Sequence, residues 1–264
     1  MKIALLAQQI EDLGAEILNI SKKKTFDGNV YTVDIAEPGI REEQEEKAES
    51  RKVEYAEIMS IAHPGVYSTT IFKMLRKWCN NGEADKYVTA GQQILIPHFK
   101  VPAVKDCEGE EFDEIDLENV VITAVHVEPR RVVFNFEDIL FRHDVDYEES
   151  GKPFDETPLG VYLAEHFAKA LKEYTGKVNV SLLSKDNVFN EDSKDFMPYF
   201  KAIKNRIKVL AFENNTWWWW LKTPYASNST SFCSVNYNGI SAGNYAGYAD
   251  GGVAPAFEFT ADSE

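Results

Sequence analysis

The sequence predicts an α+β protein, with a mainly helical N-terminal module over residues 1–82 and a β-rich domain over residues 83–264. Three observations carry that reading. Apolar residues recur at helical spacing through the first eighty positions, the period drops to two from Tyr87 onward, and from Pro224 the composition turns to tyrosine and small uncharged residues. A chain of 264 residues can bury roughly three quarters of the surface its unfolded form exposes, so its core needs neither metal nor disulfide.

In chain order, Ile3, Leu6, Ile10, Leu13, Ile17 and Ile20 follow a 3-4 spacing that places them on one seam of a helix. Ile at the a positions with Leu at two of the d positions suits a parallel pair, so a homo-oligomer through residues 3–20 is one expectation. An amphipathic helix lying on its own domain is the other, since the run is short and Gly14 weakens it. Thr25 to Ile35 reads as a hairpin or strand around Asp27-Gly28. Residues 41–61 are charged helix formers that gain an apolar face only towards Tyr55, Ile58 and Ile61, and His63-Pro64-Gly65 stops them. A helix over 69–78 presents Ile71, Phe72, Leu75 and Trp78 and ends at Asn80-Asn81-Gly82.

Strands are predicted at 87–97, 120–127 and 131–136, the last two joined as a hairpin across Glu128-Pro129-Arg130. Between them, residues 106–118 hold eight carboxylates without the oxygen spacing of a calcium loop, which reads as solvated charge. Thr157 as N-cap, Pro158 at the first position and Gly176 past the end bracket a helix over 158–174. Its core stripe is Leu159, Tyr162, Leu163, His166, Phe167, Ala170, Leu171 and Tyr174, so His166 reads as a core histidine. A short strand at 178–183 and a basic helix at 200–210 precede the tryptophan run Trp217 to Trp220. In a strand, alternate indoles of that run face opposite sides.

Composition excludes several classes. A net charge of −15 repels phosphate backbones, and no Lys/Arg run offsets it, so no nucleic-acid partner is expected. No apolar run approaches the roughly 20 residues of a spanning helix, and Gln8, Gln9, Glu11 and Asp12 interrupt any secretory h-region. The expectation is a soluble chain made in the cytoplasm, without membrane insertion. Cys79, Cys107 and Cys233 are odd in number and widely spaced, which suggests free thiols, no metal and no cofactor.

The 33 residues from Pro224 to Ala256 comprise six Ala, five Ser, five Gly, four Asn, four Tyr and nine others, with Asp250 the single charge. The Cys233-x-Val235-x-Tyr237 alternation and the Asn238-Gly239 turn signal argue for a folded β-ribbon closed by a two-residue turn. Tyrosine with small polar residues is the chemistry of antibody loops, in which rigid amphipathic rings supply contact area. A chargeless segment of this kind reads as a binding face.

WWWWLKTP at 217–224 resembles the W-W-L-R-S-P signature, and DGGVAPAFEF at 250–259 the closing G-V-R-P-A-F-x-I signature, of a bacterial and phage family with a C-type-lectin-like fold. That family is related to the variable proteins diversified by retroelements and to formylglycine-generating enzymes. TAGQQILIP at 89–97, FEDILF at 136–141, SLLSKDNVF at 181–189 and KNRIK at 204–208 resemble its upstream blocks, so the likeness spans about 83–260. Lys222 stands for Arg, Thr223 for Ser, and Ala254 for an Arg. The resemblance implies a domain whose two chain ends pair in a small sheet, with Trp219, Trp220, Pro224, Gly252, Pro255 and Phe257 structural. It places a ligand face on Tyr225, Asn228, Ser229, Ser231, Asn236, Tyr237, Asn238, Asn244, Tyr245, Tyr248 and Asp250.

The implied function is non-enzymatic recognition of a protein or glycan on a cell surface, as in a phage tail tip or an adhesin, with the chain assembled into a phage particle. The EPN and WND tripeptides of calcium-dependent sugar binding are missing; Glu128-Pro129-Arg130 resembles the first only in part. Copper chemistry of the formylglycine-generating type needs a C-terminal cysteine pair, and only Cys233 follows Cys107. A structural virion subunit and a carboxylate-pair hydrolase are the other readings.

Overall fold

The structure, a computed structural model, describes residues 16–25, 28–36, 67–105, 111–148, 150–213, 215–226 and 228–261. The chain divides into two compact units, residues 1–60 and 61–264.

In the first unit, β1 (Glu16–Thr25) and β2 (Gly28–Ala36) pair antiparallel from Glu16↔Ala36 to Thr25↔Gly28. A hairpin forms in the expected region, but Gly28 is paired with Thr25 in the ladder, and the pairing also takes in Ile17 and Ile20, two members of the expected helical seam. Residues 16–20 are therefore strand, and the expectation of one helix across 3–20 is corrected there. The reason is local. The partner strand carries the β-branched Val30, Thr32, Val33 and Ile35, and Ile17 and Ile20 lie within pairing reach of it. The earlier seam residues and the charged helix at 41–61 lie outside the described residues.

The second unit opens with α1 (Tyr67–Asn81), which ends at Gly82 with φ of +70°, and the short α2 (Ala84–Tyr87). The unit boundary falls before α1, at 60/61, whereas the composition places it at 82/83. Phe72 stacks on Phe259 at 5.6 Å, and Leu75 and Cys79 are buried beside it, so α1 belongs to this core.

Six strands follow: β3 (Gln93–Val101), β4 (Val104–Lys105), β5 (Glu111–Phe112), β6 (Ile115–Glu128), β7 (Arg131–Phe136) and β8 (Phe141–Arg142). A helical rod comes next, made of α3 (Pro158–Tyr162), a π turn (Leu163–Phe167) and α4 (Ala168–Thr175). Thr157 caps it by accepting from the Gly160 amide at 3.2 Å. The wider π turn shifts the phase of the stripe, so His166 leaves the core and lies exposed, stacked on Tyr162.

The remaining elements are β9 (Asn179–Ser181), α5 (Lys185–Phe189), β10 (Lys208–Val209), β11 (Thr216–Trp217), β12 (Trp219–Pro224), β13 (Ser231–Val235), β14 (Ser241–Tyr245), β15 (Gly252–Val253) and β16 (Ala256–Thr260). The basic helix expected at 200–210 is instead two 3₁₀ turns, Pro198–Lys201 and Ile203–Arg206, followed by β10. Lys208 is buried there. Its ammonium donates to the carbonyls of Phe136 and Glu137 and lies over the Trp219 ring, which fixes a strand end rather than a helix face.

Two five-stranded sheets organise the unit, ordered β3-β6-β7-β16-β9 and β14-β13-β12-β15-β8. The first is antiparallel throughout. The expectation that the ends of the lectin-like region pair is corrected: β3 and β16 share a sheet but are separated by β6 and β7. Period-two alternation sends Val132, Phe134, Phe136, Phe257 and Phe259 into a core under α1 and the helical rod. Val133 and Ala256 enter a second core with α5, Met197 and Phe200. The unit is α+β. Among the described residues no helix is long and apolar enough to cross a membrane.

Burial pushes the thiols of both Cys79 and Cys233 above their ordinary value. In the native protein at pH 8 both should alkylate at least about 100-fold more slowly than in denaturant, because the thiolate is the nucleophile. Mass spectrometry of timed iodoacetamide labelling reads this, and fast native labelling of Cys233 would show that the C-terminal sheet opens.

Candidate functional site

The site is built from the tryptophan run upward. Trp217 and Trp219 side with the second core and Trp218 and Trp220 with the first, as strand alternation requires. Trp219 and Trp220 are fully buried, and each indole N–H is satisfied, by the Arg206 carbonyl and the His143 carbonyl respectively, both at 2.9 Å. Trp217 donates to the Asp250 carbonyl at 2.8 Å.

The opposing strand accepts this only because of its glycines. A Cβ on Gly251 would lie 1.9 Å from Trp220 Nε1, and one on Gly252 would lie 2.5 Å from the Trp218 carbonyl oxygen. Gly252 also donates to that carbonyl at 3.1 Å. Phe257 and Pro255 are buried, and Asn135 donates to the carbonyls of Ala254 and Pro255 at 3.0 and 2.8 Å. Ala254 is itself fully buried, so an arginine there would place an ion in this core. Pro224 is exposed at the end of β12, opposite Phe232.

On this base β13 and β14 pair from Ser231↔Tyr245 to Val235↔Ser241, with β14 at the sheet edge. The connection spans Asn236 to Ile240 rather than two residues. Gly239 donates to the Asn236 carbonyl at 3.0 Å and adopts φ of +80°, which is a turn followed by a left-handed glycine. A bare two-residue turn does not form because the Asn236 side chain holds the wider loop, accepting from the amides of Asn238 at 3.2 Å and Ile240 at 2.9 Å.

The eleven expected face residues separate by role. Tyr225, Ser229, Tyr237, Asn238, Tyr245, Tyr248 and Asp250 are exposed. Ser231 is buried, because it pairs with Tyr245 inside the ladder. Asn228, Asn236 and Asn244 are half-buried and hold structure: Asn228 accepts from the Thr230 amide and hydroxyl, and Asn244 donates to Ser234 at 2.9 Å.

The exposed tyrosines form two groups. The Tyr225 ring lies over Gly243, where a Cβ would come within 2.4 Å of it, and Tyr245 packs edge-to-face on Tyr248 at 5.7 Å. Gly243 and Tyr245 point to the same side of β14, so Tyr225, Tyr245 and Tyr248 share one surface. Tyr237 sits on the tip at the opposite end of β14, roughly 14 Å of strand away. There it accompanies exposed Ile240 and Ile203, whose methyl lies under Gly239.

Sequence reading missed Gly243 as the seat of a ring and Ile203 and Ile240 as tip residues. The hairpin signal could have suggested Ile240; the Gly243 contact is non-local and leaves no local signal. Of the acidic stretch, residues 106–110 lie outside the described residues. Asp113, Glu114, Asp116 and Glu118 are exposed, and Glu114 pairs with Lys100 at 2.8 Å. Among the described residues no three His, Cys, Asp or Glu side chains are grouped to hold a metal ion.

Residues 154–260, from the helical rod to the last strand, match a family described as a domain of unknown function (DUF6273). No curated protein and no solved structure matches the chain.

Two substitutions test the geometry. Gly251→Ala is expected to cost about 3 kcal/mol, because the clash is with the Trp220 ring, which is fully buried and hydrogen-bonded through its Nε1. Asn236→Ala is expected to cost about 1–2 kcal/mol by stranding two turn amides. Urea denaturation measures both, and wild-type stability of Gly251→Ala would contradict the described packing.

Proposed function

We propose that the chain is a non-enzymatic recognition protein of the phage tail-tip or surface-adhesin kind, with a C-type-lectin-like domain that binds a protein or glycan on a cell surface. The observation that carries this is the exposed cluster of Tyr225, Tyr245 and Tyr248, on a stretch with no charged residue between Lys222 and Asp250. Rings already seated on a glycine and on one another lose little conformational freedom when a ligand covers them, and an uncharged surface carries no ion-desolvation cost. The tryptophan and glycine packing at the two signature motifs supports the lectin-like reading.

The half-buried asparagines bear on diversification. Asn228 and Asn236 hold loop backbones and Asn244 bonds into β13, so a retroelement-varied repertoire would keep these roles while varying the exposed ring and serine positions. The binding surface on this reading is the Tyr225, Tyr245 and Tyr248 group, with Tyr237 outside it.

A glycan array and a panel of bacterial cell surfaces, probed with the full chain, test the proposal. Tyr245→Ala and Tyr225→Ala are each expected to weaken binding at least tenfold, about 1.4 kcal/mol, with Tyr237→Ala within about twofold of wild type. Thermal melts of each variant confirm folding. Undiminished binding by both Tyr225→Ala and Tyr245→Ala would place the surface elsewhere.

A further inference from the structure

We propose that the cleft between α1 and the end of α4 binds a small polyanion carrying two or more phosphoryl groups. The cleft has a volume of about 560 Å³, within the range of small-molecule sites. Four cations line it: Lys73, Arg76 and Lys77 from one face of α1, and Lys172 from α4. Glu173 is the one acid. Lys73 and Lys77 are one helical turn apart, and Arg76 lies between them on the same face.

Arg76 is set at the base of this group. Its guanidinium lies 5.4 Å from the Phe259 ring and donates to the Lys177 carbonyl at 2.6 Å, which fixes the planar fork before any ligand arrives. Lys73, Lys77 and Lys172 are exposed, and none is in an ion pair among the described residues, Glu173 included. Lys172 lies in the last turn of α4, where the helix dipole favours a cation, whereas Lys73, Arg76 and Lys77 precede the last turn of α1. The dipole accounts for Lys172 and not for Lys73 and Lys77. In a chain of net charge −15, this local reversal faces outward, and screening over about 8 Å at physiological salt isolates it from distant carboxylates.

The spread of separate ammonium groups around a fixed guanidinium suits linked phosphoryl groups better than one tetrahedral anion, because each needs its own counter-charge. The cleft is assembled from residues almost a hundred positions apart, which is why no basic run marks it in the sequence.

Isothermal titration calorimetry of the full chain with inorganic tripolyphosphate, at about 0.15 M salt, tests the proposal. Saturable one-to-one binding is expected, with orthophosphate at least tenfold weaker. The double variant Lys73→Gln/Lys172→Gln should lose at least tenfold in affinity, while Lys152→Gln/Lys194→Gln, which removes two exposed lysines outside the cleft, should bind as wild type does. A rise in wild-type melting temperature with tripolyphosphate, absent in the first double variant, gives an independent readout. No saturable binding, or equal weakening in both double variants, would overturn the proposal.

Discussion

The arrangement of the C-terminal half depends on one constraint: two adjacent tryptophans enter opposite cores from a single strand, and the segment facing them must carry no side chain at Gly251 and Gly252. Trp219 and Trp220 are both fully buried, and each indole N–H reaches a backbone carbonyl on a different neighbouring segment. Large rings dominate the apolar area a core removes from water, roughly 25 cal/mol per Å². Burying two of them on opposite faces of β12 therefore commits that strand to a central position. Gly251 and Gly252 then lie against the ring of Trp220 and the carbonyl of Trp218, where any Cβ collides. The tryptophan run and the closing Gly-Gly-Val-Ala-Pro-Ala-Phe segment thus act as one packing unit.

That unit decides what the intervening residues can do. With β12 fixed centrally and β15 on one side, β13 and β14 extend to the other side and end in a free edge. Between Pro224 and Asp250, Phe232, Ala246, Cys233 and Val235 reach the two cores, and the loops and the edge strand β14 carry the small and polar side chains. Asn228 and Asn236 keep the loops in register through hydrogen bonds to turn amides. The surface tyrosines are presented by a ribbon that is anchored in both cores.

Much of this was legible in the sequence where the determinants are local. The Glu128-Pro129-Arg130 hairpin, the Thr157 cap, the Gly176 stop and the alternation of the four indoles all follow from residue spacing or turn chemistry. Failures came where non-local pairing decides the outcome. Ile17 and Ile20 fit a helical seam until the hairpin beyond Thr25 recruits them. Ser231 reads as surface until its register against Tyr245 buries it, and Tyr237 reads as a neighbour of Tyr245 until the length of β14 separates them. His166 fits the helical stripe, but the π turn carries it out to solvent, and nothing in the spacing marks that turn. The basic cleft is invisible for the same reason, since it exists only once α1 meets α4.

The central claim is that residues 225–250 form an ordered ribbon on the tryptophan core rather than a polar tail. The bonds Asn236 N to Ile240 O and Ala246 N to Thr230 O bracket the ladder, so alternation points the Ala242 and Asn244 amides inward and those of Ser241, Gly243 and Tyr245 away from β13. Residue-resolved native-state hydrogen exchange reads this directly. Protected amides at Ala242 and Asn244, alternating with fast ones at Ser241 and Gly243, are the expected result. Uniformly fast exchange from 225 to 250 would contradict the account.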